Sequence, residues 1–167
     1  MSTKKEIQES LELIHERMGR GVKLKDITGP DHPSVTYDGK TEVTGLITDS
    51  RRVTPNSAFF ALPGLRTNGN EYLEEALERG AKVVVSETEE LDLPLGVTGL
   101  KVEDSRLALA EFAKRYHGCP DSSLRMVGVT GTNGKTTVSS LVRHLLERPG
   151  RPVGLIGTVR YHLGDRE

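Results

Sequence analysis

Two glycines, a lysine and a threonine lie close together in the stretch GTNGKT near the end of the chain. Gly131 and Gly134 permit a tight turn in which backbone N–H groups approach a bound anion. Lys135 brings an ammonium group to the outer phosphates of such an anion, and the Thr136 hydroxyl is a ligand type for Mg²⁺. This spacing predicts a phosphate-binding loop.

The elements around this loop are the ones that a phosphate site needs. The apolar run LRMVGVT predicts a strand before it, TTVSSLVRHLLER predicts a helix after it, and VGLIGT predicts a further strand. The common phosphate-loop motif is G-x-x-x-x-G-K-[ST]. Val129 stands at the position of its first glycine, so the motif is shortened here to G-x-x-G-K-T. The plainer alternative is a glycine-rich turn with an exposed lysine. We predict an ATP site with Lys135 as catalytic residue and Thr136 as metal ligand; its residues are Gly131, Thr132, Asn133, Gly134, Lys135, Thr136 and Thr137.

The preceding residues alternate between strand and helix patterns. AFFAL, AKVVVSE and VTGLKVED predict buried strands, and an Asp38-Gly39 turn predicts a hairpin. A helix with Asn70 as N-cap and Gly80 as stop follows the first of the three strands, and a helix closed by Gly118 follows the last. An additional N-terminal helix is predicted from the spacing of Ile7, Leu11, Ile14 and Met18.

This alternation predicts an α/β fold in two parts. Residues 1–123 form the first domain, with Phe60, Val84 and Leu109 in or near its core, and HGCPDSS reads as a linker. Residues 124–167 supply one β-loop-α-β unit, which we interpret as the truncated start of a second, ATP-binding domain.

Composition narrows the function classes. The net charge is −1, so no global field favours nucleic acid, and no apolar run is long enough to span a membrane. The polar N-terminus lacks a signal-peptide core, and Cys119 is the only cysteine, which together predict a cytoplasmic protein. The histidines do not have metal-ligand spacing.

The loop GVTGTNGKTT resembles the ATP loop of the Mur ligases, the enzymes that build the peptide of the bacterial cell wall. Related loops occur in folylpolyglutamate synthases and cyanophycin synthetases. The upstream motifs DSRRV, PNSAFFALPG and NGNEY resemble the first domain of two kinds of Mur ligase, those that add the third residue of the cell-wall peptide and those that add its final residues. Asn56 and Asn68 depart from the usual glycine and aspartate, but asparagine adopts positive φ and serves in turns. GTNGKTT and GLIGTV favour the ligase that forms the tripeptide.

The resemblance implies that the first domain binds the uridine diphosphate (UDP) end of UDP-N-acetylmuramoyl-dipeptide. Thr48 and Ser50 fall at the contacts with uracil and diphosphate, and Leu65, Arg66 and Thr67 fall on the loop that closes over the nucleotide. An arginine and a hydroxyl suit a diphosphate chemically. Without the resemblance, TDSRR would be a solvated turn in which Asp49 caps and the arginine is exposed. A structural alternative for Arg51 is pairing with Asp49 or with a nearby carboxylate.

The resemblance also implies the reaction, its cofactors ATP and Mg²⁺, and its partners. The dipeptide carboxylate would be phosphorylated to an acyl phosphate, and the amine of diaminopimelate or lysine would then attack it. Alternatives are the ligase that adds the terminal dipeptide, a non-catalytic UDP-sugar-binding module and a small P-loop switch protein. The segment lacks a second acidic metal ligand and an amino-acid-binding domain, so we expect the 167-residue chain alone to be inactive.

Overall fold

The computed structural model describes residues 21–29, 40–64, 67–88, 91–158 and 161–162. The helices are α1 (Leu24–Thr28), α2 (Leu73–Glu78), α3 (Ser105–Tyr116) and α4 (Lys135–Leu146). The strands are β1 (Val22–Lys23), β2 (Glu42–Val43), β3 (Leu46–Ile47), β4 (Ala58–Phe60), β5 (Val83–Ser86), β6 (Thr98–Lys101), β7 (Leu155–Ile156) and β8 (Tyr161–His162). The predicted N-terminal helix and the Asp38-Gly39 turn lie outside the described residues.

A parallel four-stranded sheet in the order β3-β4-β5-β6 organises the first part of the chain. All residues of β4 and β5 are buried, as expected of strands covered on both faces. Helix α2 lies in the connection from β4 to β5, and α3 follows β6. The predicted α/β class is confirmed, and so are the first two predicted buried strands, although each is shorter than its apolar run. The third prediction is correct as a strand but wrong as a buried one, because only Leu100 of β6 is buried at this edge of the sheet. β2 pairs antiparallel with β1.

Two apolar clusters cover the sheet because neighbouring residues of a strand face opposite sides. Phe60 packs with Phe112 of α3, their ring centroids 5.7 Å apart at 75°, in the larger cluster. Phe59 belongs to the smaller cluster, with Ala76 of α2. Phe60 and Val84 are fully buried and Leu109 packs against the larger cluster, so the predicted core positions are confirmed.

The turns and caps follow local sequence chemistry, with one correction. Asn68, not Asn70, caps the turn that leads into α2: its side chain accepts from Asn70 N, and its own backbone N–H donates to Glu71 Oε1. Gly80 has φ 95°, in keeping with its predicted role as the stop of α2. Asn56 has φ 64°, which confirms that asparagine takes the left-handed conformation there.

The chain divides into two compact units between Ser123 and Leu124. In the second unit α4 has the predicted position, whereas the predicted strand at residues 124–130 is wrong, because no strand is formed there. Only Leu155 and Ile156 of VGLIGT form a strand, paired antiparallel with β8. A strand exists only where a neighbour takes its hydrogen bonds, and the described residues offer 124–130 no such neighbour. Met126 and Val127 are 78% and 64% exposed as a result.

Ser57 provides a stability test in the first unit. Its side chain is fully buried, and its Oγ has no hydrogen-bond partner among the described residues. An unpaired buried hydroxyl costs about 1–3 kcal/mol, so Ser57→Ala should raise the free energy of unfolding by roughly 1 kcal/mol in urea titrations. Ser86→Ala is the matched control, because the equally buried Ser86 Oγ donates to Asn70 Oδ1 at 2.8 Å. We expect Ser86→Ala to lower the free energy of unfolding. If both variants lower it, Ser57 Oγ is not an unpaired buried group.

Candidate functional site

The GTNGKT loop leads directly into the N-terminus of α4. Gly131 and Gly134 have φ of 145° and 76°, conformations that disfavour any side chain, and Gly134 is the N-cap of the helix. Val138 N donates to Gly134 O at 2.9 Å as the helix begins, and no side chain caps the first turn. The backbone N–H groups of the first turn are thus directed toward an anion position at the helix end.

Lys135 folds back over this loop. Its Nζ donates to Gly131 O at 2.5 Å and to Thr132 O at 3.3 Å, which fixes the ammonium group beside the turn. The loop residues and both threonines that follow Lys135 are exposed to solvent. The predicted ATP-binding residues are therefore brought together as one continuous loop that presents backbone N–H groups, one cation and hydroxyl groups.

The second set of predicted residues lies at the carboxyl edge of the parallel sheet, where ligands bind in open α/β folds. Thr48 and Ser50 follow β3 directly, and Thr67 lies in the loop after β4. Thr48 and Thr67 are exposed, whereas Ser50 is only 6% exposed. Leu65 and Arg66 lie outside the described residues.

Ser50 and its neighbours are held by charged side chains. Ser50 Oγ donates to Glu75 Oε2 of α2 at 2.5 Å, and Arg79 Nε donates to Glu75 Oε1 at 3.2 Å. Arg51 donates to both carboxylate oxygens of Asp49 at 2.8 and 2.7 Å, as in the structural alternative for this arginine. The side-chain hydrogen bond from Arg51 lowers the pKa of Asp49 to about 2, so this carboxylate is charged at neutral pH.

The loop after β4 is anchored at its base. Pro63 and Asn68 form an antiparallel bridge, and Gly64 N donates to Thr67 O at 3.0 Å. Arg106 Nη2, at the start of α3, donates to Pro63 O at 2.5 Å. Arg106 therefore links the base of the loop that carries Thr67 to α3, a different element at this edge of the sheet.

A polar network at this edge was missed by the sequence reasoning. Asn70 accepts from Ser86 Oγ at 2.8 Å and donates to Thr88 Oγ1 at 2.9 Å. These bonds join the segment between β4 and α2 to the end of β5. Glu87 accepts from Ser105 N and Oγ at 2.9 and 2.7 Å, and these bonds lower the pKa of Glu87. The positions of these polar residues in the sequence could have predicted the network. Each lies at or directly after the end of a buried strand, or at the start of a helix.

The described part of the chain contains no group of three or more His, Cys, Asp or Glu side chains that could hold a metal ion. Its helices are also too short or too polar to cross a membrane. The predicted metal ligand Thr136 is exposed at the start of α4, and Mg²⁺ commonly combines one or two protein ligands with phosphate oxygens and water.

The parallel sheet defines an α/β protein, and the glycine-lysine loop at the start of α4 has the form of a phosphate-binding loop. Family comparison gives the same class: residues 42–117 match the Mur ligase family catalytic domain and residues 129–166 match the Mur ligase middle domain. Together the two matches span more than half of the chain. The chain belongs to the Mur ligase family.

Individual relatives agree with this membership. The chain is 48% identical to UDP-N-acetylmuramoyl-L-alanyl-D-glutamate–2,6-diaminopimelate ligase of Solibacter usitatus, over 89% of the chain and 30% of the relative. A solved structure of a ligase with the same name matches with TM-score 0.67 and 29% identity, covering 86% of the chain and 29% of that structure. The diaminopimelate–D-alanyl-D-alanyl ligase of Acinetobacter baumannii matches with TM-score 0.51 and 30% identity, covering 64% and 23%. The chain thus spans less than a third of the length of these relatives.

Proposed function

We propose that this chain is part of an ATP-dependent ligase that adds a diamino acid to UDP-N-acetylmuramoyl-L-alanyl-D-glutamate. The observation that carries the proposal is the loop at the start of α4, where Lys135 Nζ lies on Gly131 O and the helix N-terminus lacks a side-chain cap. Such a loop binds phosphate groups, and its relatives bear the name of this ligase. The proposal includes a cytoplasmic location, as the polar N-terminus and the single cysteine predict.

In the proposed mechanism the second unit stabilises charge on the transferred phosphoryl group. Lys135 and the backbone N–H groups of the loop bind and orient the outer phosphates of ATP while the D-glutamate carboxylate of the substrate is phosphorylated. Thr136 would hold Mg²⁺, which neutralises phosphate charge when bound. Thr132, Asn133 and Thr137 complete the contact surface. The amine of the diamino acid then displaces phosphate from the acyl phosphate, and an amide bond is formed.

In the same proposal the first unit, residues 1–123, binds the UDP end of the substrate at the carboxyl edge of the sheet. Thr48, Ser50 and Thr67 lie at that edge, and Leu65 and Arg66 belong to the same loop as Thr67 in sequence. Arg106 anchors Pro63 at the base of this loop, which supports the proposal because a restrained segment loses less entropy when a ligand binds.

Ser50→Ala tests the UDP site. Loss of one hydrogen bond to a charged group should weaken binding of UDP-N-acetylmuramoyl-dipeptide about ten- to a hundredfold in calorimetric titrations, with ATP affinity nearly unchanged. Ser122→Ala is a suitable control, because Ser122 Oγ is exposed and donates to Cys119 O, beyond the C-terminus of α3. An equal loss of affinity for both ligands in Ser50→Ala would indicate misfolding and contradict the assignment.

The ligase that adds the terminal dipeptide is the second candidate. The solved structure with that activity in its name covers 64% of the chain, against 86% for the diaminopimelate ligase, and it superposes less well. The choice is tested by supplying the longer enzyme with UDP-linked dipeptide plus a diamino acid, or with UDP-linked tripeptide plus D-alanyl-D-alanine. Phosphate release with the second pair alone would favour the second candidate, and binding without phosphate release from either pair would favour a UDP-sugar-binding module.

A further inference from the structure

Glu75 is the hydrogen-bond acceptor for the buried Ser50 hydroxyl. Ser50 Oγ donates to Glu75 Oε2 at 2.5 Å, within the range of a charge-assisted O–H···O⁻ bond. Glu75 reaches Ser50 from α2, which follows the loop of Thr67 in the chain, and its side chain is 37% exposed. Arg79 binds the other carboxylate oxygen and holds the group in place.

A serine hydroxyl carries a single proton. Phosphate oxygens at neutral pH and an ionised carboxylate both act as hydrogen-bond acceptors, so Ser50 can donate to Glu75 or to a bound diphosphate, but not to both. A diphosphate placed near Ser50 also meets the negative charge of Glu75, which Arg79 offsets only in part because that pair is solvent-exposed.

We infer that Glu75 competes with the ligand diphosphate for the Ser50 proton and thereby lowers affinity for the UDP end of the substrate. This inference rests on the proposed function, which places the diphosphate at Ser50. It assigns a role to a carboxylate that the proposed mechanism does not use. A shared proton also places the effect of Ser50→Ala toward the low end of the range given above.

The test is a calorimetric titration of the 167-residue chain with UDP. Glu75→Gln keeps the length of the side chain and an acceptor for Ser50 but removes the charge, so UDP should bind about three- to tenfold more tightly. Glu78→Gln is the matched control, because it removes the same charge from an exposed position of the same helix. We expect it to change UDP affinity less than twofold.

Two further measurements separate competition from simple repulsion. In a Ser50→Ala background, Glu75→Gln should lose most of its gain, because no proton is left to share. Without ligand, Glu75→Gln should lower the melting temperature slightly, since it weakens the bond from Ser50. Tighter binding together with lower stability is a combination that a purely structural role would not give.

The outcomes distinguish the inference from the function on which it rests. Failure of the unmodified chain to bind UDP would overturn the proposed UDP site and the inference together. UDP binding that is unchanged or weaker in Glu75→Gln would overturn the inference and leave the proposed site standing. A gain of equal size with and without the Ser50 hydroxyl would show general repulsion, which also overturns the competition.

Discussion

Replacing Lys135 with alanine is expected to reduce ATP-dependent phosphate release at least a hundredfold in the proposed ligase of which this chain is part. The Lys135 ammonium group lies against Gly131 O and Thr132 O, beside the position proposed for the outer phosphates. Removing one preorganised charge from a phosphoryl-transfer site costs about 10²–10³-fold in rate. The measurement is phosphate release in the presence of UDP-linked dipeptide and a diamino acid.

Arg148→Ala is the matched control for this experiment. Arg148 is an exposed cation of the same unit, but it follows the C-terminus of the 12-residue helix α4, which places it about 18 Å from the loop. We expect this variant to keep most of the activity. Unchanged ATP turnover in Lys135→Ala would refute the assignment of the loop, whereas equal losses in both variants would point to unfolding of the unit.

Phe60→Ala is expected to lower the free energy of unfolding of the first unit by about 3–5 kcal/mol. Phe60 is fully buried in β4 and contacts Phe112 edge to face, so the substitution removes a large apolar group and an aromatic pair at the centre of the larger cluster. Because the loss approaches the total stability of many small domains, the variant should be largely unfolded at mild urea concentrations. Urea titration followed by circular dichroism measures it.

Leu107→Ala provides the comparison. Leu107 lies on α3, the helix that carries Phe112, but is 59% exposed, so its truncation should cost less than about 0.5 kcal/mol. A loss below 1 kcal/mol for Phe60→Ala would mean that the two phenylalanines do not form the centre of the core.

Several elements of this protein could be predicted from its sequence because they depend on residues close together in the chain. The runs around Phe60 and Val84 predicted buried strands because apolar, β-branched and aromatic residues are excluded from water over a length typical of strands. The stop at Gly80 and the left-handed Asn56 followed from backbone preferences that act within a few residues. The phosphate loop was equally local, since its donors and its cation come from one continuous segment.

Tertiary structure decided what depends on distant partners. The apolar run at residues 124–130 forms no strand, because strand formation needs a neighbour to take its hydrogen bonds. Asn70 is a residue type common at helix N-caps, yet its side chain joins Ser86 to Thr88, which lie 16 and 18 residues further along the chain. The pairing of Ser50 with Glu75 likewise spans 25 residues. The sequence therefore determined where the segments lie and which chemical groups they carry. The tertiary structure determined which polar groups form hydrogen bonds with each other, because distant residues come within bonding distance only when the sheet has formed.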